Sequence, residues 1–139
     1  MVNEQENVQV VKQMFTAFGQ GDIPTVLGLL AEDVDYQSPV TRTEPVEISW
    51  SKPRHSREEV ALHFKELAEK VQPEPFEQLV FTAQGDRVVV EGKNRGTVRS
   101  TGRTYEHDWV MAFTVRDSKI RRFRHYYDTA DIVAAFRSK

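Results

Sequence analysis

The chain has 139 residues, 39% hydrophobic and 29% charged, with a formal net charge of -2. That length suits one domain with a real core, the near balance of charge argues against nucleic acid as a partner, and the absence of cysteine removes disulfides, thiolate chemistry and sulfur metal sites. The opening MVNEQENV has neither the basic start nor the apolar run of a signal peptide, and no apolar stretch approaches the length of a bilayer span, so a soluble cytoplasmic protein without a membrane partner is expected.

From Val8 the apolar positions Val8, Val11, Phe15 and Phe18, with Met14 beside them, fall at helical spacing, and Gly19 and Gly21 supply a stop. Asp22 caps a second, short helix that tolerates Pro24 in its first turn and turns Leu27 and Leu30 to one face. The run VDYQSP alternates as a strand, with Val34, Tyr36 and Ser38 on one side and Pro39 at its end. Val40 to His55 shows no clear period; there Trp50 either pins the loop to the core or covers an opening, and packing is the favoured reading. SREE at 56–59 is a capping box and opens a third helix with Val60, Phe64, Leu67 and Val71 as its buried stripe, while His55 and His63 read as surface residues. Pro73 and Pro75 break the chain. Four strand-like runs follow, near 76–83, 87–100, 103–115 and 119–127, separated by Gly85-Asp86, Thr101-Gly102 and Asp117-Ser118. Asp128 and Thr129 then cap a closing helix with Ile132, Val133 and Phe136 inward. This order suggests an α+β fold, an antiparallel meander with helices packed against one face.

Turn lengths set which side chains share a face. A two-residue loop at Thr101-Gly102 pairs Ser100 with Arg103 and hence Asn94 with Trp109. For the last hairpin, a three-residue loop of Arg116, Asp117 and Ser118 keeps the aromatics together, opposing Met111 to Phe123, Trp109 to His125 and His107 to Tyr127, with Ser118 near a left-handed conformation. Asn94, Trp109 and His125 then form one row facing the helices. The other face, with Glu91, Lys93, Arg95, Asp108, Arg122 and Arg124, reads either as solvated or as a homodimer interface.

Trp109, Met111, Phe123 and Tyr127 alone would make an ordinary core. The same face also carries Asn94, His125, His107, Tyr105, Tyr36 and Ser38, and each polar group sealed without a partner costs about 1–3 kcal/mol. A cavity for a small hydrophobic ligand fits this mixture better, with Phe15 and Phe64 of the helices on its wall. His125 titrates in the range useful for general acid or base work, Tyr36 and Tyr127 are donors for a carbonyl or epoxide oxygen, and Asn94 can orient a water or a polar ligand head. The 4 histidines have no HxH or HxxxH spacing and no evident carboxylate partner, so no metal site is expected, and no cofactor.

The segments FTAFGQGDIPTVLGLLAEDVDYQSP and GRTYEHDWVMAFTVRDSKIRRFRHYYDTADIVAAF resemble the nuclear transport factor 2-like superfamily, in particular its SnoaL-like branch, which includes ketosteroid isomerase, limonene epoxide hydrolase and polyketide cyclases. The resemblance implies a single domain over 1–139 with a cone-shaped, cystatin-like α+β fold. It further implies a strongly bent antiparallel sheet with helices on its concave face, a ligand inside the cone, and homodimers. It also subtracts chemistry. Ser38 stands where ketosteroid isomerase has its proton-abstracting aspartate, and Trp109 where it has its oxyanion-stabilising one. Against limonene epoxide hydrolase, Tyr36 matches the water-positioning tyrosine, Ser38 replaces an asparagine, GKN at 92–94 replaces an Arg-x-Asp element, and His125 takes the place of a second aspartate. Two readings stand: a cofactor-independent cyclase or isomerase, in which His125 moves a proton and Tyr36 or Tyr127 steadies an oxyanion, and a non-catalytic module that holds a small ligand in the same cone.

Overall fold

The computed structural model describes residues 3–137. Helix α1, Glu4–Gly19, starts where the Asn3 side chain accepts the Glu6 N–H, and turns Val10, Val11, Met14, Phe15 and Ala17 inward at helical spacing. Gly21, at φ 71, lets the chain turn into the short α2, Ile23–Gly28, capped by Asp22. Strand β1, Leu30–Gln37, follows at once, so Leu30 belongs to the sheet and not to α2. The segment without periodicity contains a short 3-10 helix, Val46–Ser51, and an isolated bridge from Arg54 to Tyr36. Helix α3, Arg57–Lys70, begins as the capping box requires: Ser56 accepts the Glu59 N–H, and Glu59 reaches back to the His55 N–H at 2.9 Å. Val71, expected as the end of that helix stripe, instead opens a three-residue strand β2, Val71–Pro73. Strands β3 (Glu77–Gln84), β4 (Arg87–Val98), β5 (Thr104–Arg116) and β6 (Lys119–Tyr127) and helix α4 (Thr129–Phe136) complete the chain. Among the described residues no helix is long and apolar enough to cross a membrane.

The sheet runs β1-β6-β5-β4-β2, with β3 also paired to β4, and the helices cover its concave side. It is mixed and not wholly antiparallel, because β1 lies parallel to β6. Arg124 fastens that pair: its guanidinium spans both carboxylate oxygens of Asp35 at 2.9 and 3.0 Å and also donates to the Asp35 carbonyl. The arginine cluster of β6 is thus partly a strand clamp. On the convex side Lys93 faces Asp108 and Arg95 faces Glu106, which are complementary cross-strand pairs.

Both hairpin registers differ from the expected ones by one pleat, and both keep the expected faces. Val98 pairs with Arg103 around a loop of Arg99 to Gly102, so Asn94 faces His107 and Gly92 faces Trp109. In the last hairpin the turn is two residues, Asp117 and Ser118, at φ 53 and 61, and Arg116 pairs with Lys119. A bulge then leaves Arg121 unpaired, since Val115 faces Ile120 whereas Thr114 faces Arg122. The extra residue restores the parity that the short turn would reverse. Met111 therefore faces His125, and Trp109 faces Tyr127.

A turn with positive φ at both positions favours glycine at the second, so serine at 118 carries a left-handed cost. Ser118→Gly should raise the unfolding free energy by about 1 kcal/mol, read from urea midpoints at unchanged m-value.

Candidate functional site

The concave side holds two packed regions with a gap between them. Under α1, Phe15 stacks on Trp109 with ring centroids 5.8 Å apart and meets Phe76, Phe81 and Phe113 edge-on. At the other end Ile48, Trp50, Tyr105 and Ile132 pack with Val71 and Val98, and Tyr127 touches both regions. The gap is a cavity of about 60 Å³.

Alternation along the strands aims the wall residues. Phe123, His125 and Tyr127 come from β6, Tyr36 from the end of β1 with Ser38 just past it, Asn94 from β4, Met111 from β5 and Phe64 from α3. Three residues expected on this wall lie elsewhere. Phe15 and Trp109 belong to the packing under α1: Gly92, opposite Trp109, has no side chain, and a Cβ there would come within 2.6 Å of the indole Cζ2, so the ring leans back over β4. His107 is stacked between Tyr105 and Tyr127, off the cavity. The expected row is therefore a diagonal, in which His125 touches the edge of Trp109 with centroids 5.6 Å apart.

His63, expected at the surface, is buried on the wall. Its position three residues after Val60 and four before Leu67 puts it on the inward stripe of α3, and only its polarity argued otherwise. His63 Nδ1 donates to the Trp50 carbonyl at 3.0 Å, and Arg54, itself buried, donates to the same oxygen at 3.4 Å. Trp50 Nε1 donates to the Tyr127 hydroxyl at 3.3 Å. Trp50 is thus pinned at both ends, and it closes one side of the cavity. A second feature absent from the sequence reading is a carboxylate for a histidine. Asp131, in the first turn of α4, lies with Oδ2 2.9 Å from His107 Nδ1 and also accepts the Glu106 N–H. Nothing local predicts this pair, since α4 brings the carboxylate from 24 positions further on.

His125 Nδ1 is 2.9 Å from Ser38 Oγ, while its Nε2 is buried without a partner; so is Asn94 Oδ1. Burial pushes the His125 imidazole down to about 3, with His63 and His107 adding to the shift, and burial pushes His63 down to about 4. Both rings are neutral at neutral pH. Burial also holds the Tyr36 and Tyr127 hydroxyls protonated far into alkali, and raises Tyr105 to about 12. The Tyr127 oxygen is occupied by the Trp50 N–H, which leaves its own proton free to donate. The cavity therefore offers a hydroxyl donor, an amide acceptor and one imidazole nitrogen in an otherwise apolar surround, with no carboxylate among the described residues that line it. Among the described residues no three His, Asp or Glu side chains gather as a metal-holding group.

Residues 11–123 match the family model described as the SnoaL-like domain, and the chain belongs to that family. An NTF2-like protein from Burkholderia xenovorans LB400 is similar over its whole length, at 36% identity and a TM-score of 0.84, covering 99% of this chain and 100% of that one. A candidate polyketide cyclase from Xanthomonas campestris pv. campestris shares the fold at 24% identity and a TM-score of 0.82, over 96% and 98% of the two chains. An LEH-like epoxide hydrolase from M. tuberculosis shares it at 19% identity and a TM-score of 0.71, over 96% and 90%. No curated protein matches the sequence.

The depressed imidazoles make the fold acid-sensitive. Unfolding restores each ring to an ordinary value near 6.5, so the unfolded chain binds protons that the folded one excludes. Stability is complete above that value and falls, as pH drops toward 4, by about 1.4 kcal/mol per pH unit per ring. Unfolding free energies measured between pH 6 and 5 should show this slope, and His63→Leu should remove about half of the imidazole share.

Proposed function

We propose that this protein takes a small hydrophobic molecule with one polar head into its cone, and that His125 and Asn94 receive the head. The observation that carries this reading is the pair of orphaned polar atoms, His125 Nε2 and Asn94 Oδ1, on the wall of an apolar cavity. A buried polar atom without a partner costs about 1–3 kcal/mol, and a ligand with matching groups recovers that. The Tyr127 proton adds a donor. Together these groups suit a head that both accepts and donates, such as an enolised 1,3-dicarbonyl, a hydroxyketone or a primary amide.

His125 serves here as a neutral hydrogen-bonding group. With its imidazole pushed down to about 3, it is a weak base at neutral pH. A second reading, a cofactor-independent cyclase or isomerase with His125 as acid or base, draws support from the Ser38 contact and the free Tyr127 proton. The candidate polyketide cyclase of the same fold points in that direction too. In that chemistry the neutral imidazole takes the proton that the substrate loses and later returns it, while Tyr36 or Tyr127 donates to the developing oxyanion.

Titration calorimetry with short 1,3-diketones and hydroxyketones tests the binding reading. His125→Phe keeps the ring but removes the hydrogen bond, and should weaken binding by about ten-fold. Equal affinity in the two proteins would refute the role of His125. Turnover by the wild type that vanishes in the variant would favour the catalytic reading over simple binding.

A further inference from the structure

We infer that the ligand is elongated: its head lies in the cone and its aliphatic tail passes between Phe18 and Phe76 onto a groove on the outer surface. This rests on the head-binding reading above and extends it to a substrate class, medium-chain aliphatic molecules with a carbonyl-containing head.

The inner cavity, at about 60 Å³, is far below the roughly 300–1,000 Å³ of drug-sized sites. A second depression of about 190 Å³ lies outside, where α1 ends and the chain runs from β2 to β3. Phe18, Pro73 and Phe76 line both spaces, so the partition between them is made of side chains. Its centre is the stacked pair Phe18 and Phe76, with centroids 5.7 Å apart and planes 15° from parallel.

One half of the partition lies outside the strand ladder. Phe76 follows Pro75, which has no N–H to donate, and lies between β2 and β3, in neither strand. Beyond it the β3–β4 register shifts between Glu77 and Val80, and Gln78 sits at φ 58. A rotation of either half-buried ring joins the two spaces without breaking a ladder hydrogen bond. Outside the partition the groove continues over Phe15 and Leu79, and Glu74 is its one charged residue. Both Glu74 carboxylate oxygens accept from Arg95, at 3.0 and 3.2 Å, so the groove presents mainly apolar side chains and an aliphatic chain is the fitting occupant.

The test is calorimetric titration with butanamide, hexanamide, octanamide and decanamide, whose heads both accept and donate. Wild-type affinity should rise about three- to four-fold per added methylene through decanamide, the increment expected for progressive burial. Leu79→Lys and Pro75→Glu alter the groove but not the cavity; each should leave butanamide binding unchanged and weaken decanamide by ten-fold or more. If butanamide binds but affinity levels off after the shortest chains, or both variants bind decanamide like the wild type, the tail groove is refuted and the head site stands. If no member of the series binds, the head site itself is refuted, and the groove with it.

Discussion

One unpaired residue, Arg121, decides which way the last strand faces. A two-residue turn followed by unbroken pairing would send Arg122, Arg124 and Tyr126 under the helices, and Phe123, His125 and Tyr127 into solvent. The bulge cancels that reversal within four residues of the turn. Everything on the concave side follows from it, because β6 supplies wall residues to the cavity and is also the strand on which β1 docks. On the convex side the same parity releases Arg124 to bind Asp35, which secures the parallel pair.

Polar groups survive inside this cone because most of them are tied to backbone or to one another. The Trp50 carbonyl is shared by His63 and Arg54, and Arg54 also lies 3.7 Å from Glu66, which is hydrogen-bonded to Ser49. That network holds the aperiodic segment against α3 and fixes the indole whose N–H orients Tyr127. Asp131 does the same for His107. On the cavity wall, His125 has one nitrogen engaged and one free, and the Asn94 amide oxygen has nothing. Buried nitrogens of Arg54, His107, Trp109 and Arg121 also lack a partner, but those residues lie off the cavity, and the two orphaned atoms that belong to its wall are those of His125 and Asn94.

Where local chemistry decides, the sequence is legible. The caps at Asp22, Ser56 and Asp128, the stop at Gly19 to Gly21, and the alternation that turns Tyr36, Met111, Phe123 and His125 inward all depend on neighbours a few residues away. Where two distant segments must meet, it is not. The parallel docking of β1 on β6, the carboxylate that α4 brings to His107, and the lean of Trp109 over Gly92 have no short-range signature. Register fell between these cases: the faces were readable from which residues are aromatic, whereas the turn and bulge that produce them were not. His63 shows a different failure, since its helical position was inward all along and only the usual exposure of histidine pointed outward.

The parallel strand pair also bears on how the chain assembles during its synthesis. Leu30 pairs with Ile120, so the partner of β1 leaves the ribosome about 90 residues after it. The β4 and β5 hairpin closes through a short local turn and can form as it emerges, whereas β1 must wait, unpaired, for the strand that completes it. Nascent β1 carries Glu32, Asp33 and Asp35 among its eight residues, and this negative charge suits an edge that must stay soluble and alone until β6 is made.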